Sequence, residues 1–310
     1  MTVAPLSSVR ADALALWERS AVRTPFNHPD VVEAAGEAFG LSPLAILGAD
    51  VGVIGLEKRR GPFRALALTP GAAYCSPICV QASPEAEVLG CETPLDAVRG
   101  VVESRFALAA FSLPPTWTDP RTFAFAGWDA TVRYTSVADL SGDPLTQWSK
   151  GTLRPARQSA ADFDVRETPD ALEVATRLQV ETYARKSVPF GLTSGALVLL
   201  ANALHARGLV RAFAATRAGD AAPEAAALFT VDGTHATYWL SGGKRGPAMS
   251  VLFLHAVDAL KASGVTDLDL GGANVPGVAQ FKRQLGGVLT PTVTVRRVGP
   301  RWLRAIDALR

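Results

Sequence analysis

The order of local sequence patterns constrains the fold most, because the same order occurs twice. Each half of the chain shows a helical pattern, a Pro-Phe dipeptide, a second helical pattern, several strand patterns, a helix and a strand. The dipeptides are Pro25-Phe26 and Pro189-Phe190. The helical patterns cover residues 11–22, 30–39 and 93–110 in the first half and residues 169–185, 194–206 and 248–262 in the second. Two interpretations stay open: a structural duplication, or chance recurrence of a common dipeptide.

The length of the chain agrees with two domains. At ~150 residues per domain, 310 residues predict two of them, and we place them at residues 1–150 and 151–310. The last strands expected before this junction cover residues 123–125 and 130–134. Because Gly and Ser are sparse over residues 139–163, we expect a connecting helix or arm there rather than a flexible linker.

Charge and cysteine content exclude several classes of protein. The 31 Lys and Arg residues nearly balance the 29 Asp and Glu residues, and no basic run exceeds three, so we expect no duplex nucleic acid as partner. No stretch of 18 apolar residues and no secretory signal pattern occur, which predicts a cytoplasmic protein without a transmembrane segment. Cys75, Cys79 and Cys91 lack CxxC spacing and a nearby His, so we expect no metal.

A glycine-rich loop precedes the helical pattern at 248–262. Residues 238–248 read YWLSGGKRGPA, a strand pattern that runs through this loop into the helix. Such a junction directs free backbone N–H groups and the positive end of the helix dipole at one point, which suits phosphate groups. Lys244 and Arg245 add positive charge. The alternative is an ordinary Gly-Pro loop before a helix.

The second informative stretch covers residues 267–287, which read DLDLGGANVPGVAQFKRQLGG. A strand ends in Gly271-Gly272, and a short helix presents Phe281-Lys282 before Gly286-Gly287. This arrangement resembles the FemAB-like and BioF2-like branch of the GNAT superfamily, whose signature contains Phe-Lys followed by Gly-Gly. The resemblance covers nearly the whole chain, with further landmarks at residues 25–29, 76–77, 137–141, 148–150, 190–192 and 238–242.

The resemblance implies an α+β fold of two tandem GNAT-like domains, each a mostly antiparallel mixed sheet flanked by helices. It implies a degenerate first domain at 1–150 and an active site in the second, at 151–310. It further implies an acyltransferase that moves an acyl group, expected to be acetyl, from acetyl-CoA or another acyl-CoA to a primary amine of a small molecule or peptide.

The same resemblance leaves a second donor open. In the Fem branch the donor is aminoacyl-tRNA and the acceptor is a peptidoglycan precursor, so tRNA is a partner only under this alternative. The loop at 244–248, which suits phosphate groups, favours CoA, as does the lack of a heptad run for a long coiled-coil arm. A third interpretation is a non-catalytic tandem binding module. A monomer and a dimer both stay open.

The residues expected to hold the donor follow from the GNAT pattern Arg/Gln-x-x-Gly-x-Gly/Ala, which Gly246 and Ala248 match. Gly243 stands at the Arg/Gln position, a departure that the non-catalytic interpretation uses. The helix pattern Asn-x-x-Ala-x-x-x-Tyr places Phe281 at the Tyr position, and Phe281 has no hydroxyl to protonate a leaving thiolate. The resemblance thus implies these donor-binding residues: Gly243, Lys244, Arg245, Gly246, Ala248, Asn274 and Phe281.

The expected catalytic residues are Lys282, Asp269 and Tyr238. Lys282 is the Fem-type cation that stabilises an oxyanion or a phosphate, and its alternative is a solvated helix Lys. Asp269 acts as a general base, orients the acceptor amine, or caps the following loop. Tyr238 reaches the acceptor pocket or packs as a buried aromatic residue. Three further residues are expected to bind substrate: Tyr183, Glu181 and Arg154.

Overall fold

The computed structural model describes residues 1–81, 93–185, 187 and 191–299. Cys91 and the Pro189-Phe190 dipeptide lie outside these residues. The described chain forms two compact units. Unit 1 comprises residues 1–133 and the segment from residue 291, and unit 2 comprises residues 134–290. Each unit therefore contains a strand from the other half of the sequence.

In chain order the elements of the first half are β1 (Thr2–Pro5), α1 (Arg10–Arg19), α2 (Pro29–Phe39), β2 (Ser42–Leu47), β3 (Val51–Arg60), β4 (Phe63–Ala67), β5 (Ile78–Cys79), α3 (Pro94–Arg105), β6 (Leu108–Leu113), α4 (Arg121–Phe125) and β7 (Asp129–Asp139). From α1 to α3 the main elements of the first half follow the predicted order.

The second half continues with α5 (Lys150–Ser159), β8 (Phe163–Glu167), α6 (Ala171–Arg185), α7 (Ser194–His205), β9 (Val210–Arg217), β10 (Pro223–Asp232), β11 (His235–Gly243), α8 (Ala248–Ala262), β12 (Asp267–Gly272), α9 (Pro276–Gln284) and β13 (Val288–Val298).

The sheet of unit 1 has the order β1-β2-β3-β4-β6-β13. Its pairs are antiparallel except β4 and β6, which pair in parallel from Ala65↔Leu108 to Leu66↔Ala109. α3 lies between these two strands in sequence, as expected for a parallel connection. Thr93 begins α3 with a capping box, because its Oγ1 accepts from the Asp96 N–H at 3.1 Å and its own N–H donates to the Asp96 carboxylate.

The sheet of unit 2 has the order β7-β12-β11-β10-β9-β8, and β11 and β12 are its parallel pair. Along β10, Ala225, Ala227 and Phe229 face a buried cluster that includes Val251 and Phe253 of α8. The alternate residues of the strand face the other side, where α6 contacts β10 and β11. Helices thus cover both faces, and the mixed α/β class expected from the sequence is confirmed.

Two sequence predictions for the first half are wrong in detail. The helix expected over 93–110 ends at Arg105, and residues 108–113 form β6 instead. Ala109, Phe111 and Leu113 alternate with less buried neighbours, the pattern of a half-buried strand. Residues 123–125, expected to be a strand, lie in α4, where the Phe123 ring packs against Phe111, Trp117 and Trp128.

Candidate active site

The two parallel strands of unit 2 separate at their carboxyl ends. Their register runs only from His235↔Asp267 to Thr237↔Asp269, whereas β11 continues to Gly243 and β12 to Gly272. The register of β11 with β10 shifts between Leu228 and Phe229, so that Trp239 is the extra residue of a β-bulge. A bulge bends its strand and redirects backbone groups. A wedge between β11 and β12 therefore opens beside Tyr238 and Leu270.

The loop after β11 leads directly into α8. Gly246 has φ +142°, a backbone conformation that L side chains rarely adopt, and a Cβ there would meet nothing within 4 Å. Pro247 begins α8 without a side-chain cap, and the first turn holds no acidic residue. The first helical bond runs from the Val251 N–H to the Pro247 carbonyl at 3.0 Å. The N–H groups of residues 248–250 thus point out of the helix end.

Two cations flank this helix end. Lys244 and Arg245 are exposed, and within the described part of the chain neither side chain makes a hydrogen bond or an ion pair. Two hydrogen bonds fix the backbone of this loop. The Lys244 N–H donates to the Glu224 carbonyl at 2.8 Å, and the Arg185 guanidinium donates to the Gly243 carbonyl at 2.9 Å. Free positive side chains on a fixed backbone next to an uncapped helix N-terminus suit an anion.

Unit 1 has a different helix end at the corresponding place in the order of elements. There the capping box occupies the Asp96 N–H of α3 and the N–H of its N-cap Thr93, and Pro94 at the first helical position has no N–H. The Asp96 carboxylate also places negative charge in the first turn. This end of α3 is therefore unsuited to an anion. The N-terminus of α8 in unit 2, in contrast, has no side-chain cap and no acidic residue in its first turn.

Lys282 is buried at the end of α9, with 6% of its surface exposed. Its Nζ donates to the Gly272 carbonyl at 2.7 Å. A Cβ at Gly271 would lie 3.3 Å from both this Nζ and the Tyr238 carbonyl, which places the ammonium next to the wedge. Burial lowers the pKa of Lys282 to about 8, and the charge of Asp269 acts in the opposite direction. The Lys282 amine is therefore largely protonated at pH 7.

Asp269 is the carboxylate that faces Lys282. It is 7% exposed, and its Oδ1 accepts from the Gly271 N–H at 2.7 Å and from the Thr135 hydroxyl of β7. These bonds orient the carboxylate. The structure thus brings together Lys282 and Asp269, two of the three side chains expected to be catalytic.

Tyr238 lies under α8. Its ring packs against Phe253 at 4.9 Å and Phe229 at 5.5 Å, and its hydroxyl donates to the Ser241 hydroxyl. Burial raises the pKa of Tyr238 to about 12, so the hydroxyl stays protonated at pH 7. Phe281 packs against the same aromatic cluster, 6.1 Å from Phe253. Packing accounts for both rings.

The remaining residues expected at the site lie in other settings. The Asn274 amide makes two bonds to the Tyr134 backbone, accepting from its N–H at 3.0 Å and donating to its carbonyl at 2.9 Å. Glu181 is exposed on α6 in an ion pair with Arg177 at 3.0 Å. Tyr183 is partly buried near the end of that helix, and Arg154 is exposed on α5. Ala248 is buried at the start of α8.

Sequence reasoning missed Thr135, whose hydroxyl holds Asp269 although the two residues are 134 positions apart. Arg185, which fixes the Gly243 carbonyl, was also missed. Neither has a local sequence signal, because each contact depends on the packing of distant elements. Among the described residues, no group of three or more His, Cys, Asp or Glu side chains is placed to hold a metal. None of the described helices has the length and apolar composition needed to cross a bilayer.

Comparison with protein families identifies this arrangement. Residues 149–283 match the family described as acetyltransferase (GNAT) domain. This span contains the β11–α8 loop, the wedge, Asp269 and Lys282. Residues 149–283 thus form a GNAT acyltransferase domain, which supports a transferase, and the resemblance inferred from the sequence is confirmed. No curated protein matches the chain in sequence.

Solved structures show the same fold over the length of the chain. The chain is similar to FemX, with a TM-score of 0.67 at 10% identity over 94% of this chain and 97% of that one. It is similar to L-PGS from Bacillus licheniformis, with a TM-score of 0.58 at 12% identity over 96% and 95%. It is also similar to a tandem GNAT protein from the clavulanic acid biosynthesis pathway, with a TM-score of 0.54 at 14% identity over 96% and 99%. The fold is that of tandem GNAT proteins.

Proposed function

We propose that the chain transfers an acyl group, in the first instance acetyl, from acyl-CoA to a primary amine of a small molecule or peptide. The observation that carries the proposal is the wedge between β11 and β12 beside the uncapped N-terminus of α8. The narrow end of acyl-CoA that carries the acyl group fits between the separated strands. Its phosphate-bearing end requires free hydrogen-bond donors at the mouth of the wedge. The single site lies in unit 2, because α3 of unit 1 is capped.

The residues of the loop fit the phosphates of CoA. The N–H groups of residues 248–250 and the side chains of Lys244 and Arg245 supply donors and positive charge in one place. Gly246 has open space around it, so the approach to the helix end is unobstructed. Its φ of +142° would strain any residue with a side chain at this position. Gly242 allows close packing of β11 on α6, because a Cβ would lie 2.3 Å from the Leu178 backbone.

Attack of a neutral amine on a thioester carbonyl produces a tetrahedral oxyanion and a positively charged nitrogen. The protonated Lys282 next to the wedge supplies a donor and a charge for the oxyanion. Asp269 accepts a proton or orients the amine through its carboxylate. Phe281 cannot protonate the leaving thiolate, so in this proposal Lys282 also serves as the acid for the leaving group; its pKa of about 8 suits proton exchange near neutral pH.

A Fem-type aminoacyl transfer from aminoacyl-tRNA is the second candidate. The buried Lys282 after Phe281 favours it, because this pair replaces the hydroxyl-bearing residue expected in CoA-dependent enzymes. The fold shared with FemX is compatible with it. Under this candidate, Lys244 and Arg245 contact the tRNA backbone, and the acceptor is a peptidoglycan precursor.

Calorimetric titration of the full chain with acetyl-CoA tests the proposal. We expect saturable binding that is weakened at least tenfold when Lys244 and Arg245 are both changed to Glu, since two favourable charges become repulsive. Arg166→Glu is the matched control: Arg166 is exposed on β8 and pairs with Asp164 away from the loop. The affinity of the Arg166→Glu protein for acetyl-CoA should equal that of the wild type.

Failure to bind acetyl-CoA and longer acyl-CoA donors contradicts the proposal. The same titration with aminoacyl-tRNA then decides the second candidate. If the charged tRNA binds and the Lys244→Glu, Arg245→Glu protein has lost this affinity, the Fem-type function replaces the proposal. If neither donor binds, both candidates are wrong and a non-catalytic binding module becomes the best account.

A further inference from the structure

A second cleft of unit 2 lies on another face of α9. It has a volume of about 550 Å³, within the range of small-molecule sites. Its lining comes from β7, α9 and the start of β13: Ser136, Pro276, Ala279, Gln280, Arg283, Gly287 and Leu289. Ala279, Gln280 and Arg283 lie three, four and seven positions after Pro276, so the four α9 residues share one helix face. Phe281 and Lys282 are not among the lining residues.

The floor of the cleft holds a polar side chain without a protein partner. Ser136 is 3% exposed and lines the cleft, yet within the described residues its hydroxyl makes no hydrogen bond. The Ser136 oxygen is not among the fully buried, unbonded polar atoms of the described residues, so the small exposed part of this residue includes its hydroxyl. The Ser136 hydroxyl is thus available to a molecule that enters from the cleft.

The wall of the cleft holds two further donors. Arg283 and Gln280 are exposed one helical turn apart on α9, and neither side chain bonds to another described residue. No acidic side chain appears among the described residues of the lining. The cleft therefore has one uncompensated positive charge and neutral hydrogen-bonding groups beside it, which match a single negative charge.

The rest of the lining is apolar. Pro276, Ala279 and Leu289 contribute to it, and 57% of the Leu289 surface is exposed. Val275 and Val288, which adjoin lining residues in sequence, are also exposed. An apolar surface next to an unpaired guanidinium is complementary to a ligand with an anionic end and an apolar body.

We propose that this cleft binds a monoanionic carboxylate carried on an apolar chain. The guanidinium of Arg283 takes the carboxylate in the two-bond arrangement that suits a planar anion. Ser136 and Gln280 donate to its remaining lone pairs, and the chain lies along Pro276, Ala279 and Leu289. This site is separate from the wedge, so its occupation does not depend on the identity of the acyl donor.

Titration of the full chain with decanoate, below its micellar concentration and without any acyl donor, tests the proposal. We expect one saturable site. Arg283→Gln lowers the affinity about tenfold, because the charge-assisted bonds are lost, and Ser136→Ala lowers it about fivefold. Arg166→Gln, an exposed Arg of β8, leaves the affinity unchanged.

The proposal is overturned by absence of saturable binding, by equal affinity in the wild type and in Arg283→Gln, or by 1-decanol binding as tightly as decanoate. Tighter binding of decyl phosphate than of decanoate also contradicts it, because it shows that the site prefers a phosphate. Circular dichroism of each variant verifies that the fold is retained, since both substitutions leave the backbone contacts of α9 and β7 in place.

Discussion

The buried ammonium of Lys282 opposes folding, and this cost can be measured. Burial lowers the pKa of Lys282 from 10.5 to about 8. At about 1.4 kcal/mol per pKa unit, the shift corresponds to about 3 kcal/mol of instability at pH 7. This figure already includes the attraction of Asp269. Loss of the hydrogen bond to Gly272 costs about 1 kcal/mol, so we expect Lys282→Met to raise the free energy of unfolding by about 2 kcal/mol.

The pH dependence of this difference follows from the direction of the shift. Below pH 8 both states carry the proton, and the cost is fully present. Between pH 8 and 10.5 the folded state releases the proton while the unfolded state keeps it, so wild-type stability rises with pH relative to the variant. Above pH 10.5 the advantage of Lys282→Met disappears.

Urea unfolding at pH 7.0, 8.5 and 9.5 measures the difference. Lys150→Met, at an exposed position of α5, is the matched control and should change stability by less than about 0.5 kcal/mol. Lower stability of Lys282→Met than of wild type at pH 7 would refute the reasoning. It would show that Asp269 and the Gly272 carbonyl more than offset the burial of the charge.

Three further predictions follow from individual contacts. Asp269→Asn removes the charge that raises the pKa of Lys282, so the Lys282 pKa falls below about 8; NMR titration of the Nζ resonance measures it, and an unchanged pKa contradicts the pairing. Gly286→Ala destabilises by about 1–3 kcal/mol, because Gly286 has φ +83° and its Cβ would lie 2.7 Å from Gln147. Gly277→Ala in α9, with open space around it, should instead leave stability equal or higher in the same urea assay. Thr93→Ala removes the α3 cap and costs about 1 kcal/mol, with no effect on acetyl-CoA affinity; a weaker affinity contradicts the assignment of the site to unit 2.

The sequence was sufficient for the parts of the fold with local signals. The helix predicted over 248–262 has the same bounds in α8, because its apolar pattern starts after Pro247 and ends at Ser263-Gly264. The helix or arm predicted within 139–163 contains α5, which lies inside unit 2 and does not connect the two units. The Gly-rich loop and the Phe-Lys pair of α9 are also local, so the sequence could place them at a strand end and on a helix.

The rest depends on contacts between distant segments. Residues 108–113 have helix-compatible composition, yet they pair with β4 and β13 and so form a strand. Tertiary pairing outweighed local propensity there. The Thr135–Asp269 bond and the unpartnered Ser136 hydroxyl likewise require knowledge that β7 lies beside β12. Parallel and long-range pairings carry no local signal, so these parts of the candidate site were not predictable.

Amide hydrogen exchange of the full chain with and without acetyl-CoA tests the central claim most directly. The claim is that the single donor site lies in unit 2, between β11 and β12 and at the N-terminus of α8. We expect acetyl-CoA to slow exchange in peptides covering residues 238–252, including the free N–H groups of residues 248–250, and to leave the start of α3 unchanged. Protection at the start of α3, or none at residues 238–252 under saturating acetyl-CoA, would contradict the account.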